Sequence, residues 1–262
     1  MLALNRGRPA LIGMVHLAAL PGTASPVAWP RLLAAARRDA RAWAAGGADA
    51  VLVENFGDRP FHPEAVPPVT IAALARVLTE LRGEVALPLG VNVLRNDAAG
   101  AVALAAACEL DFVRINVHAG VAVADQGLLI GRADATVRLR AALRCDARLL
   151  CDLRVKHARP LVERPLLDEA AELVERAGAD ALLLTGAATG RAPDLAPLAA
   201  LAAAFPTTPL LLASGVTPEL IAGVRRLISG CIVGTAAKKG GHLEAPVDPA
   251  RVRALARACR DR

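Results

Sequence analysis

At 262 residues the chain is long for one ordinary domain and matches the roughly 250 residues typical of an α/β barrel. Aromatic residues make up 2 % and tyrosine is absent, which argues against stacking on nucleic-acid bases; the net charge of +6 comes from arginines spread along the chain, without a block of five or six like charges, and reads as a solvated basic surface. Five cysteines without CxxC or Cys/His ligand spacing suit reduced structural thiols in a cytosol rather than a disulfide framework.

The first predicted element is a strand over 10–16. Basic Arg6 and Arg8 precede it, so the region imitates an export signal until His16 interrupts the apolar run. A helix over 30–46 ends in GGAD, whose glycines suit a C-cap, and a strand over 49–54 puts Glu54 and Asn55 at its end. Helix 67–82, strand 89–94 with Asn92 inward, and helix 97–109 follow. In strand 111–117, Val113, Ile115 and Val117 share one face, and the row on the other face is Arg114, Asn116 and, just past the strand, His118. The connection from Ala119 to Arg132 is long enough to act as a lid or a substrate contact, with Asp125 and Gln126 as its contact residues. After helix 132–144, strand 148–156 is predicted to turn Asp152, Arg154 and Lys156 inward. Helix 165–178, which ends in the corresponding C-cap signal AGAD at 177–180, strand 180–185, helix 194–205, strand 209–214, helix 217–228, strand 230–235 and helix 248–260 complete the chain. The uncharged stretch 195–218 has the length of a membrane span, but Pro197, Pro206 and Pro209 divide it into a helix, a turn and a strand, so no transmembrane segment is expected.

Strand and helix thus alternate eight times, which predicts one (β/α)8 TIM barrel over residues 1–262, and the small-residue turns after strands seven and eight make it one of the phosphate-binding type. A doubly wound open sheet is the alternative, but no GxGxxG follows the first strand and no shift in composition marks a second domain. In a closed barrel the row on strand four faces the interior near the C-terminal mouth, where barrel active sites sit. A buried Arg114 needs a partner there, because desolvating a lone charge costs on the order of several kcal/mol; Asp152 is the candidate.

Glu54, Asn92, Asn116, His118, Asp152 and Lys156 form the candidate catalytic set, carboxylates and an imidazole serving general acid and base work and Lys156 serving as a clamp or an amine nucleophile. Lys156 is one of three lysines in the chain. His16, Asn55, Arg114, Asp125, Gln126 and His157 are candidate substrate-binding residues. Strands seven and eight run into ASGVT and IVGTAAKKGG, small-residue turns whose backbone amides suit an anion, so Ser214, Gly215, Gly234, Thr235 and Lys238 form a candidate phosphate site. No motif for an organic cofactor is present. Glu54, Asp125, Asp152 and the histidines are the candidate ligands for a divalent metal, but no HxH, HExxH or tight carboxylate spacing supports one.

The stretches IGMVHLAALPG, GGADAVLVENFGDRPF, PLGVNVLRNDA, FVRINVHAG, ADQGLLIGRA, CDLRVKHARPL, ASGVT, IVGTAAKKGG and PVDPARV, in order over nearly the whole length, resemble the BtpA/SgcQ family. Beyond the sites above, the matching positions include Asp58, Asn96 and Asp97. Ala213 stands where glycine is expected, Ala124 where threonine is usual, and AKKGG replaces a more acidic stretch. The resemblance implies a phosphate-binding barrel in a family with one member needed for photosystem I to accumulate and another found among sugar-uptake genes.

Two functions follow as expectations. The first is a cytoplasmic enzyme acting on a sugar phosphate or nucleoside-derived phosphate by aldol, isomerase or lyase chemistry. The second is a non-catalytic factor for the biogenesis or stability of a membrane protein complex. The expected partner is a small phosphorylated ligand rather than nucleic acid, with a homo-oligomer as the candidate assembly.

Overall fold

The computed structural model describes residues 2–186 and 194–260. Eight strands close a parallel barrel: β1 (Ala10–His16), β2 (Ala50–Glu54), β3 (Leu89–Asn92), β4 (Phe112–Ile115), β7 (Arg148–Arg154), β9 (Ala181–Thr185), β10 (Leu210–Ala213) and β11 (Gly230–Val233). β1 pairs with both β2 and β11, which leaves no free edge in the barrel. The eight expected strands are therefore present, in chain order around the barrel. Helices α1 (Trp29–Gly46), α2 (Pro68–Glu84), α3 (Ala98–Ala107), α4 (Ala133–Ala142), α5 (Leu166–Ala171), α6 (Leu198–Ala204), α7 (Pro218–Val224) and α8 (Pro249–Arg260) alternate with those strands.

The strands are apolar on both faces because both faces are buried. Val15, Val53, Val91, Val113 and Leu149 pack outward toward the helices, whereas Ile12, Met14, Leu52, Phe112 and Leu150 fill the interior. Two glycines make room for the largest rings. A Cβ on Gly13 would lie 2.1 Å from the Trp43 ring of α1, and one on Gly90 would lie 2.3 Å from Phe112. The GGAD and AGAD signals work as expected: Gly47 and Gly178 take left-handed φ of 87° and 70°. The aspartates of those signals have a second use. Asp49 and Asp180 accept the amides of Leu11 and Leu149 at the starts of neighbouring strands, at 2.9 and 2.7 Å, and Asp111 does the same for Leu89 at 3.0 Å.

Three local features depart from the expected pattern. The connection after β4 is an antiparallel hairpin, β5 (Val121–Ala124) and β6 (Gly127–Ile130), and β8 (Ala158–Pro160) joins it to make a three-stranded sheet ordered β6-β5-β8. A register shift in β7 between Asp152 and Arg154 ends the simple alternation of that strand. The helix expected over 165–178 is α5 followed by a π turn at Glu172–Arg176. The uncharged stretch 195–218 contains α6 and β10, and no helix of the described residues is long and apolar enough to cross a membrane.

Candidate active site

The C-terminal ends of the barrel strands carry a polar layer above the apolar interior. Register places His16 of β1 beside Glu54 of β2, and Glu54 beside Asn92 of β3. On β4 and β7, Arg114 donates from Nε and Nη2 to the two carboxylate oxygens of Asp152, at 2.9 Å each. Asn116 Nδ2 donates to the same carboxylate at 3.0 Å, and Asn92 Nδ2 donates to Asn116 Oδ1 at 3.2 Å and to the Arg114 carbonyl at 3.0 Å. The partner expected for Arg114 is therefore the one found. Asp152, a candidate acid or base, has its carboxylate occupied by three donors and acts as an anchor for Arg114 and Asn116.

Three buried atoms of this layer have no hydrogen-bond partner among the described residues: His16 Nδ1, Glu54 Oε1 and Asn92 Oδ1. Buried polar atoms are seldom left so, and their clustering at one barrel end marks a place built to meet a ligand. Burial holds the His16 imidazole down at about 3 from its ordinary 6.5, with Lys238, Lys156 and Arg114 pushing the same way. His16 is consequently neutral at physiological pH and offers one donor and one acceptor. Burial also lowers the pKa of Lys156; Glu54 and Asp152 oppose that shift, and Arg114 and Arg95 reinforce it.

Two cavities meet at Lys156. One, of about 250 Å³, is lined by His16, Arg114, Lys156 and the ends of β10 and β11 with Ser214, Gly215, Gly234 and Thr235. Ser214 and Gly215 both have left-handed φ, 65° and 59°, an uncommon conformation for a serine, which turns successive backbone amides in this loop. The other, of about 480 Å³, lies under the hairpin tip and is lined by Glu54, Phe56, Arg59, Arg95, Asn116, Asp125, Gln126, Lys156 and His157. The hairpin turn thus brings Asp125 and Gln126 to the mouth, and Gln126 Nε2 donates to Asp125 at 2.6 Å.

A model of the BtpA family matches residues 8–261. The chain belongs to the BtpA family. This BtpA-family chain is 39 % identical over 252 residues to the photosystem I biogenesis protein BtpA of Synechocystis, covering 95 % of this chain and 87 % of that one. It is 42 % identical over 249 residues to an uncharacterized protein of Thermococcus kodakarensis, covering 95 % and 94 %. Among solved structures it is similar to N-(5'-phosphoribosyl)anthranilate isomerase of Pyrococcus furiosus, with TM-score 0.59, 14 % identity and coverage of 97 % and 100 %. It is also similar to the native KDPGal structure, with TM-score 0.56, 17 % identity and coverage of 96 % and 94 %. At those identities the likeness is one of fold, a TIM barrel.

Several of the expected inward or site residues, and some of the positions that match the family, lie in supporting structure rather than in the mouth. His118, expected beside Asn116, lines neither mouth cavity, and its Nε2 lies 2.9 Å from the Ala177 carbonyl oxygen. β4 ends at Ile115, so strand alternation no longer aims position 118. Arg154 leaves the inward row at the β7 irregularity and pairs with Glu169 of α5 at 2.8 Å. Lys238, expected on the phosphate, donates to Asp39 of α1 at 2.7 Å, and both side chains are buried. Asn55 is also spent on structure, accepting the Leu94 amide at 2.7 Å and donating to Asp58 at 3.1 Å. Asn96 exchanges hydrogen bonds with the Val117 backbone, and Asp97 caps α3 through the Gly100 amide at 2.7 Å.

Arg95, Arg59 and Phe56 escaped the sequence reading although they line the second cavity. Alternation from Asn92 would put residue 95 on the outer face, but β3 ends at Asn92 and the turn redirects it. Among the described residues no group of three or more His, Cys, Asp or Glu side chains converges as a metal site requires. The Asp152 oxygens, one candidate metal ligand, face Arg114 and Asn116.

Proposed function

We propose that this chain is an enzyme acting on a small phosphorylated metabolite. The phosphate sits in the cleft formed by Ser214, Gly215, Gly234 and Thr235, and the reacting carbons lie between Lys156 and Glu54. The observation that carries this reading is the position of Lys156 on both cavities, between a cleft lined by the small-residue loops after β10 and β11 and a chamber holding the unpartnered Glu54 carboxylate oxygen.

The roles follow from the chemistry of each group. His16, neutral, donates or accepts a hydrogen bond at the phosphate side. Lys156 stabilises negative charge developing on an oxygen between the two cavities, and Glu54 moves a proton at the adjacent carbon. Arg114, Asp152, Asn116 and Asn92 hold the floor of the site rigid. These roles suit those isomerase, lyase and aldol reactions that pass through an enolate-like or enediolate-like charge. The fold likeness to a phosphoribosylanthranilate isomerase is consistent with a phosphorylated substrate.

A second reading, a non-catalytic factor for a membrane complex, draws on the name of the Synechocystis relative and on exposed apolar side chains of the hairpin sheet, Val123, Leu128 and Ile130. It gives no reason for unpartnered polar atoms buried in the mouth, so the enzyme reading is preferred. Incubating the protein with a panel of sugar phosphates and following substrate loss by mass spectrometry tests the choice. Turnover that disappears in Glu54→Gln supports the enzyme; binding of phosphate esters with no turnover of any of them favours the second reading.

A further inference from the structure

The chamber under the hairpin carries a charge imbalance that the proposed roles of Lys156 and Glu54 do not use. Arg95 is 4 % exposed, yet its Nη2 donates to the neutral carbonyl of Lys156, and among the described residues no carboxylate pairs with it. Arg59, stacked over the Phe56 ring at 4.7 Å, and Lys156 also lack an ion-pair partner among the described residues, and both line the same chamber. The carboxylates lining it are Glu54 and Asp125. Three cations therefore face two anions, with one positive charge in excess. His157 adds none at neutral pH, since burial and then Lys156 lower its pKa. A buried guanidinium without a partner is costly unless an anion completes it, and its planar donor fork matches a carboxylate.

Resting on the phosphate reading of the loop cleft, we propose that Arg95, assisted by Arg59, forms a carboxylate subsite, so that the substrate is a phosphorylated small carboxylic acid. Its phosphate lies in the loop cleft and its carboxylate at Arg95, with Lys156 between them. A monoanion balances the chamber, whereas a second phosphate would overfill it with negative charge beside Glu54 and Asp125.

Calorimetric titration of the full chain with 3-phosphoglycerate, glycerol 3-phosphate and propane-1,3-diol bisphosphate tests this. The expected result is that 3-phosphoglycerate binds about tenfold or more tightly than glycerol 3-phosphate, the factor expected of a hydrogen bond to a charged group. Arg95→Gln should bring 3-phosphoglycerate down to the affinity of glycerol 3-phosphate, and Arg59→Gln, at an exposed position, should reduce the preference in part. Equal affinity of the two ligands for the unmodified protein would overturn the carboxylate subsite while leaving the phosphate cleft standing. Tighter binding of the bisphosphate than of 3-phosphoglycerate would overturn it too, in favour of a second phosphate site. If none of the three binds, the phosphate reading falls first and the subsite with it. The comparison on unmodified protein decides the question even if Arg95→Gln does not fold.

Discussion

His16 and Glu54 stand opposite one another in register on β1 and β2, and each keeps one buried polar atom, Nδ1 and Oε1, without a hydrogen-bond partner among the described residues. A chain selected for stability alone would fill such positions with aliphatic side chains, as it does two residues lower at Met14 and Leu52, which are also in register.

His16 should make stability depend on pH. Its folded pKa of about 3 lies below the ordinary 6.5, so between those values the unfolded chain binds more protons than the folded one. The stability contributed by the neutral ring is fully present above about pH 6.5 and is lost as pH falls toward 3. The slope reaches at most about 1.4 kcal/mol per pH unit. Urea midpoints measured from pH 7 to pH 4 should fall less steeply in His16→Gln; identical slopes would mean that the ring titrates normally.

Gly234 leaves space for His16, because a Cβ there would lie 2.6 Å from its Cε1. Gly234→Ala should push the ring into the loop cleft and remove the rise in melting temperature produced by inorganic phosphate, with the fold retained. For unmodified protein, phosphate at a hundred times its Kd adds about 2.7 kcal/mol. An undiminished rise in both Gly234→Ala and Gly215→Val would place the anion elsewhere.

Lys238 should matter for stability and not for phosphate. Removing one member of the buried Lys238 and Asp39 pair strands the other, at a cost of about 3–5 kcal/mol. Lys238→Met should therefore lower the urea midpoint while the phosphate-dependent rise in melting temperature persists. Loss of that rise in a folded Lys238→Met protein would restore the lysine to the phosphate site.

The Arg114 and Asp152 pair should behave in the same way as a support. Asp152→Ala leaves a guanidinium buried without its two-point partner and should cost about 3–5 kcal/mol, with Asp152→Asn milder because the amide still accepts a hydrogen bond. Equal stability of all three proteins in urea would show that the pair is dispensable.

Lys156 is expected to act as a fixed cation. Burial lowers its pKa, but Glu54 and Asp152 both favour the ammonium. Borohydride treatment with ketose and aldose phosphates should leave Lys156 unmodified in peptide mass spectra. A reduced adduct on that residue would assign it instead as an amine nucleophile.

The alternation of apolar runs with helical segments, and the glycines of GGAD and AGAD, were enough to predict the barrel, because a strand buried on both faces and a helix buried on one leave distinct periods in sequence. Side-chain parity likewise placed Glu54, Asn92, Arg114, Asn116 and Asp152 at the interior end, since each lies within or next to a regular strand. Parity lost its meaning where strands stopped. His118, Arg154 and Arg95 all lie just past a strand end or at the β7 irregularity, and there backbone turns rather than alternation aim the side chain. The cap hairpin was hidden for a related reason: two runs of four residues are too short to separate from a loop. Whether a charged residue is a ligand or a support depends on a partner far away in sequence. Asp39 claims Lys238 across 199 positions and Asp152 claims Arg114 across 38. Only the folded chain brings such pairs within hydrogen-bonding distance, and the desolvation each charge then suffers decides which groups stay available for a substrate.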